Sequence, residues 1–221
     1  MNPTIYKQSD SKVEVKGYGA RHYDLMMNII SGGTYPCFIR RVVREMNIQP
    51  QDEILDLGCG SGRNICLMAN YFSSQGRALG LDIGAEMLEQ SQKRCKKYPN
   101  VTIKNQRIDE LLQYENEFDK VFISFVLHGF IQEKRLQIID NAQRALRPGG
   151  EFIILDYNEF DLKKSPLLVR LAFKAECPLA FDFITRDLQA ILRNQGFDEF
   201  YIYPHYLGYV RLLSAHKKGG H

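Results

Sequence analysis

The sequence of 221 residues predicts an α/β fold built on a doubly wound, mostly parallel sheet, and three observations carry that prediction. Short apolar runs alternate with segments whose apolar residues recur every three or four positions, the strand, helix, strand pattern of a parallel sheet covered on both faces. The first of these runs passes straight into a loop with glycine at alternate positions, "ILDLGCGSGR" from Ile54 to Arg63. Near the carboxyl end, "GFDEFYIYPHYLGYVRLLSAHK" reads as two strands joined by a turn at Pro204–Gly208, so the sheet ends in a hairpin.

Taken in order, "EILDLG", "RALGLDI", "NVTIKNQ", "FDKVFISFV" and "EFIILDY" are the strands that precede the hairpin. Between them, Asn64–Phe72, Ala85–Lys97 and Glu133–Leu146 carry the helical spacing. A break at "DLKKSP" is followed by a helix over Thr185–Asn194, for which Thr185 is the expected N-cap. Ahead of the first strand, Leu25, Met26, Ile29 and Ile30 form an apolar stripe at helical spacing. His205 and Tyr206 fall in the hairpin turn and read as surface residues.

Composition narrows the class. With 44% hydrophobic and 25% charged residues the chain is globular and long enough for one domain with a sizeable core. No apolar run approaches the roughly 18 residues of a bilayer span, and the first residues lack the apolar stretch of a signal peptide. The expectation is therefore a cytoplasmic protein whose only membrane contact would be peripheral. Five cysteines, an odd number without a C-x-x-C pair, point to free thiols and away from a disulfide framework or a zinc site. The net charge of +3 is spread thinly, and its densest cluster, "QKRCKKYP", reads as a solvated helix end, so no nucleic-acid partner is expected.

The glycine loop follows the first strand and opens a helix. Glycine there lets the backbone turn tightly and approach a ligand, and the free N–H groups of the helix start favour an anionic group. Asp82 ends the second strand at the distance where an acidic side chain reaches ribose hydroxyls. The ligand so described is a nucleoside with an anionic arm, which fits a nicotinamide dinucleotide and S-adenosylmethionine equally. Spacing begins to separate them: in a G-x-G-x-x-G fingerprint the third glycine comes one position later than Gly62, where Arg63 stands.

"EILDLGCGSGRN", "ALGLDIGAEML", "EFDKVFISFVLHGF" and "ALRPGGEFIILD", in this order and spacing, resemble the successive motifs of class I S-adenosylmethionine-dependent methyltransferases, over a stretch from about Tyr18 to Lys217. The resemblance implies that family's Rossmann-like fold, a seven-stranded, mostly parallel sheet with helices on both faces and a C-terminal antiparallel hairpin. It also implies S-adenosylmethionine as cofactor. By the same resemblance the loop of Gly58, Cys59, Gly60 and Gly62 cradles the methionine arm, with Asp56 near its amino acid end, Asp82 on the ribose, and Ile83 and Met87 flanking the adenine. Ser124 and Phe125 line the cofactor amino group and the mouth of the acceptor site. Where many members place an aspartate against the adenine amino group, Arg107 or Ile108 falls here, so that contact passes to Asp109 or to backbone. "YDLMMNIISGG" and "RALRPGGEFIILDYN" further resemble the ubiquinone/menaquinone biosynthesis C-methyltransferases: Tyr23, Asp24, Met26 and Ser31 match the opening signature, whereas Met27, Tyr35, Phe38, Asp156 and Asn158 depart from the two signatures.

Under that resemblance the chain is one methyltransferase domain over 1–221: a lid helix region at 18–38, a cofactor-binding core at 50–158, a substrate-cover insertion at 160–184 and a helix with hairpin at 185–217. The reaction is transfer of the cofactor's methyl group to a small apolar acceptor of quinone or phenol type. His128, at the carboxyl end of the fourth strand, is the candidate base, with Tyr23 or Asp156 behind it. A non-catalytic S-adenosylmethionine-binding module or partner subunit is the alternative, and an NAD-dependent oxidoreductase is the weaker one. No metal site is expected, and the oligomeric state is open.

Overall fold

The computed structural model describes residues 33–174 and 176–219. Strands β1 (Glu53–Leu57), β2 (Arg77–Asp82), β3 (Val101–Asn105), β4 (Phe118–Ser124), β5 (Leu146–Tyr157), β6 (Phe197–His205) and β7 (Val210–Lys217) form one sheet in the order β3-β2-β1-β4-β5-β7-β6. The first five run parallel, and β7 inserts antiparallel between β5 and β6. The predicted architecture and terminal hairpin are both present. Between β4 and β5 the register shifts, because "RPGG" adds residues to β5 before Glu151 pairs with Lys120.

Helices cover both faces, so the central strands have no wet side. In β1, Leu55 and Leu57 pack with α4 (Gln132–Ala145), α6 (Pro178–Phe183) and α7 (Leu188–Asn194). Ile54, pointing the other way, packs with α1 (Tyr35–Glu45) and α2 (Arg63–Met68). α3 (Ala85–Cys95) completes the second face, and α5 (Leu167–Phe173) lies in the insertion after β5. Among the described residues no helix is long and apolar enough to cross a membrane.

Four local expectations need correction. The helix expected from Thr185 begins at Leu188, because the Asp187 carboxylate accepts the Ala190 N–H at 2.9 Å while Thr185 Oγ1 turns back to the Asp182 carbonyl. Cys66 and Cys95 are disulfide-bonded: α2 and α3 bring their Cα atoms to 5.8 Å across 29 residues of sequence, and only Cys37, Cys59 and Cys177 are free. His205 is buried, its Nε2 bonded to Glu45 at 2.8 Å, so it ties α1 to the end of β6. Tyr35, within the expected lid region, is instead a core residue beneath the Arg63 guanidinium. Residues 18–32 of the expected lid, including Tyr23 and the stripe of Leu25, Met26, Ile29 and Ile30, lie outside the described residues.

One buried cation joins three pieces of the carboxyl edge. Arg135, on α4, donates to the carbonyls of Leu127 (3.3 Å), His128 (3.0 Å) and Leu179 (2.8 Å) and to the Asp182 carboxylate (2.6 Å). Asp182 is also held by Arg186. Arg135→Met keeps most of the volume but removes the guanidinium donors from three buried carbonyls and leaves the Asp182 charge without its buried partner, so it should cost about 3–5 kcal/mol. Urea unfolding measures this as a lower midpoint at unchanged slope.

Candidate active site

β1 lies between β2 and β4, and the chain leaves β1 toward β2 on one side and re-enters at β4 on the other, so the carboxyl ends of β1 and β4 flank the point where strand order reverses. On the β1 side, the Leu81 carbonyl accepts from the N–H groups of both Gly58 and Cys59 at 2.9 Å and pulls the glycine loop against β2. Gly62 has φ +76°, and a Cβ there would meet the Ser91 backbone at 2.9 Å, so this glycine lets α2 and α3 touch. Gly60 differs: with φ +53° a Cβ on it would meet nothing within 4 Å, so it borders open space. Arg94, one of the basic residues expected only to be solvated, bonds the Ser61 carbonyl (3.0 Å) and hydroxyl (2.8 Å) and braces the loop.

Two carboxyl groups stand beside that loop. Asp82 accepts from Gly60 N, Ile83 N and Gly84 N, each at 2.8 Å, which fixes the start of α3 to the glycine loop. Asp56 is buried, and its Oδ2 has no hydrogen-bond partner among the described residues. Burial, reinforced by the nearby Asp82 charge, pushes the Asp56 carboxyl up to about 8. The neighbouring Cys59 thiol is also pushed up by burial and by the same two acids, so it is no nucleophile. Met87 is buried at the first turn of α3 and Ile83 half-buried before it. Ile108 and Asp109 follow β3, but the Asp109 carboxylate is taken by Arg107 at 3.0 Å and Lys134 at 3.4 Å. Burial opposes its charge, and the Arg107 hydrogen bond and the two cations outweigh it, leaving Asp109 below the usual carboxylate range.

On the β4 side, Phe125 follows Ser124 with φ +53°, a conformation unusual for a bulky residue. A Cβ on Gly58 would strike Val126 at 2.9 Å, so this turn and the glycine loop are in contact. The turn delivers His128 to Asp156 at the end of β5: Nδ1 stands 2.7 Å from Oδ1, and the His128 backbone N–H reaches Oδ2 at 3.1 Å. Asp156 also accepts Tyr157 N at 2.8 Å. Since the carboxylate faces only donors, Nδ1–H is the donor and the lone pair of neutral His128 sits on Nε2. Burial works against a charged imidazole, but Asp156, by charge and hydrogen bond, and Glu176 together hold it above its ordinary value.

Sequence reasoning brought His128 and Asp156 forward together but missed their surroundings. Glu176, between α5 and α6, sits 3.9 Å from His128 Nε2 and accepts the Tyr157 hydroxyl at 2.6 Å. The Tyr157 ring lies 5.0 Å from the imidazole and 4.8 Å from Phe173, and Phe183 flanks the imidazole at 6.4 Å. Tyr157 could have been found by its place beside Asp156 at the strand end. Glu176, in "KAECP", carries no pattern that marks it.

The sequence matches the family described as "Methyltransferase domain" over residues 48–196, well over half of the chain and the whole stretch from β1 through α7. The chain belongs to this methyltransferase domain family. The family resemblance read from the motifs is thereby borne out. A demethylmenaquinone methyltransferase of Symbiobacterium thermophilum is 30% identical over 140 residues, 62% of this chain, and the match spans only 55% of that relative's length. A crystal structure of a SAM-dependent methyltransferase from Aquifex aeolicus superposes with a TM-score of 0.62 at 18% identity, covering 80% of this chain and 88% of its own. A [4+2]-cyclase superposes with 0.69 at 13% identity over 91% of this methyltransferase-domain chain and 94% of its own, so the shared fold alone does not fix the reaction.

Asp56 also makes native stability depend on pH. The folded chain keeps a proton, up to about pH 8, that the unfolded chain releases above 3.8, so stability falls as pH rises through that window. Asp56→Asn has no proton to lose. Its stability relative to the parent should rise with pH between 5 and 8, by at most about 1.4 kcal/mol per unit, which denaturant midpoints at the two pH values would check.

Proposed function

We propose that this methyltransferase-domain chain transfers the methyl group of S-adenosylmethionine to a small apolar acceptor of quinone or phenol type, with His128 as the base. The observation that carries the reading is the His128–Asp156 pair, set in an aromatic wall at the strand edge that also bears the glycine loop. The name of the Symbiobacterium relative, a demethylmenaquinone methyltransferase, agrees with a quinone-like acceptor.

The groups on the β1 side suit such a cofactor. The open space beside Gly60 admits its amino acid arm, the unpartnered Oδ2 of Asp56 can take a hydrogen bond from its amino group, and Ile83 and Met87 offer apolar edges to an adenine. Asp82 serves the ribose, at a cost: three backbone N–H groups already occupy its oxygens, so accepting both hydroxyls requires release of Gly60 N, and the glycine loop therefore adjusts when the cofactor arrives. When bound, S-adenosylmethionine supplies a methyl group already activated by its sulfonium. What remains for the protein is to orient the acceptor, exclude water and remove a proton from its hydroxyl. Nε2 of His128 does the last, Asp156 fixes the tautomer and steadies the imidazolium, and the half-buried Tyr157, backed by Phe173, gives a flat acceptor its wall.

Asp82→Ala should weaken S-adenosylmethionine binding about ten- to a hundredfold in calorimetry. NADH should not bind, and NADH binding with no response to S-adenosylmethionine would overturn the reading.

A base that works neutral but is held above its ordinary value makes kcat/KM rise with pH through a midpoint above 6.5. His128→Asn should abolish that rise and lower kcat roughly 10²–10⁴-fold with cofactor affinity unchanged. A pH–rate profile on a phenol and quinol panel decides it.

A further inference from the structure

We infer that α5 and the β6–β7 turn form a docking face for a membrane surface bearing anionic lipids. Large apolar side chains are exposed on both. Leu167, Leu168 and Leu171 are 67%, 81% and 48% exposed, and they share the outer side of α5, while Phe173 on the inner side is buried. Leu207, in the β6–β7 turn, is 98% exposed. The segment between β5 and α5 links the two elements: Asn158 binds the carbonyls of Gly208 (2.9 Å) and Tyr209 (3.0 Å), and the Phe160 ring meets Tyr209 at 4.9 Å on one side and Phe173 of α5 at 5.3 Å on the other. Both therefore lie next to the segment that leaves the carboxyl end of β5.

Charge selects the partner. Beside the leucines a cavity of about 790 Å³ opens between α5 and α6, floored by Phe160, Phe181 and Ile184 and edged by Lys163, Arg170 and Lys174, while the two acids in its lining, Glu159 and Asp161, are paired with Arg211 and Lys164. None of these three cations has an ion-pair partner among the described residues; Lys164 nearby is paired with Asp161 at 3.7 Å. Elsewhere, the buried cations Arg135 and Arg211 are matched to Asp182 and Glu159. Leucines that enter the acyl boundary with lysine and arginine beside them at headgroup depth are the arrangement of an interfacial helix. A second copy of the chain suits this face poorly, because a two-fold contact through it would set the same cations against one another.

The face also has a direction. Phe160 and Phe181, in the cavity floor, pack on Phe173 at 5.3 and 5.6 Å, Phe173 on Tyr157 at 4.8 Å, and Tyr157 on His128 at 5.0 Å. An unbroken file of rings thus joins the docking face to the imidazole. Membrane docking goes beyond the methyl-transfer reading and needs neither cofactor nor acceptor to be measured, so the two fail separately.

The chain has no tryptophan, so Leu168→Trp places a single reporter on the face. With the full chain, its emission should shift to the blue on vesicles of phosphatidylcholine with phosphatidylglycerol and stay unchanged on phosphatidylcholine alone. In sedimentation with the mixed vesicles, the triple variant Lys163→Glu, Arg170→Glu, Lys174→Glu should lower partitioning at least a hundredfold, and Leu167→Glu with Leu171→Glu should abolish it. All these side chains are exposed, so the thermal midpoints should match the parent. No shift and no sedimentation with mixed vesicles would overturn the inference. Binding that survives both sets of substitutions would do the same, as would a lower molecular mass in light scattering for the leucine variant, which would assign the face to a second copy.

Discussion

Parallel pairing of β1 with β2 on one side and β4 on the other is the constraint on which the rest depends. Parallel neighbours end at the same edge, so Asp56, Asp82 and Ser124 come to one rim without any of them being close in sequence. The turns that follow each strand then have only a few ångströms in which to reverse. That narrowness explains the positive φ of Gly58, Gly60 and Gly62 and the same conformation at Phe125, where no glycine relieves it. It also explains why the loops touch, with Val126 filling the space a side chain on Gly58 would need.

The two sides of the rim are held by different physics. On the β1 side backbone amides do the work: Asp82 gathers three N–H groups, and the Leu81 carbonyl gathers two more. On the β4 side side-chain charge does it, with Arg135 clamping the His128 turn to α6 and Asp156 clamping the imidazole to β5. The first arrangement is set by local chain geometry and can shift by one hydrogen bond. The second is buried and mutually dependent, so it is stiff.

What was legible in the sequence follows the same line. Strands buried on both faces show as unbroken apolar runs, and the loop at Gly58–Gly62 shows because glycine is required there; Asp82 and His128 show because strand ends are where chemistry gathers. Features made by distant residues were not legible. Nothing in the spacing of Cys66 and Cys95 tells that α2 and α3 cross at those positions, and nothing near His205 names Glu45, 160 residues away, as its partner. Thr185 and Asp187 both suit an N-cap by type, and only the packing of the preceding turn, in which Thr185 is already bonded to Asp182, separates them. Glu176 belongs to the same class: an unremarkable acid until Tyr157 and His128 are brought against it.

The insertion of β7 between β5 and β6 has a consequence for how the chain is made. The strand translated last of the seven is an interior one, bonded on both sides, while β6, translated before it, waits at the edge. During synthesis the five parallel strands can assemble as they emerge, but β5 keeps an open edge until Val210–Lys217 has left the ribosome. The sheet is then closed in one late step, by contacts that span some sixty residues of sequence and bring Leu212 and Leu213 into opposite core layers. A nascent or prematurely ended chain would present β5 as a sticky template for other strands. The edge left on this side of the finished sheet is better protected: β6 carries a register shift at Glu199 and a proline at Pro204.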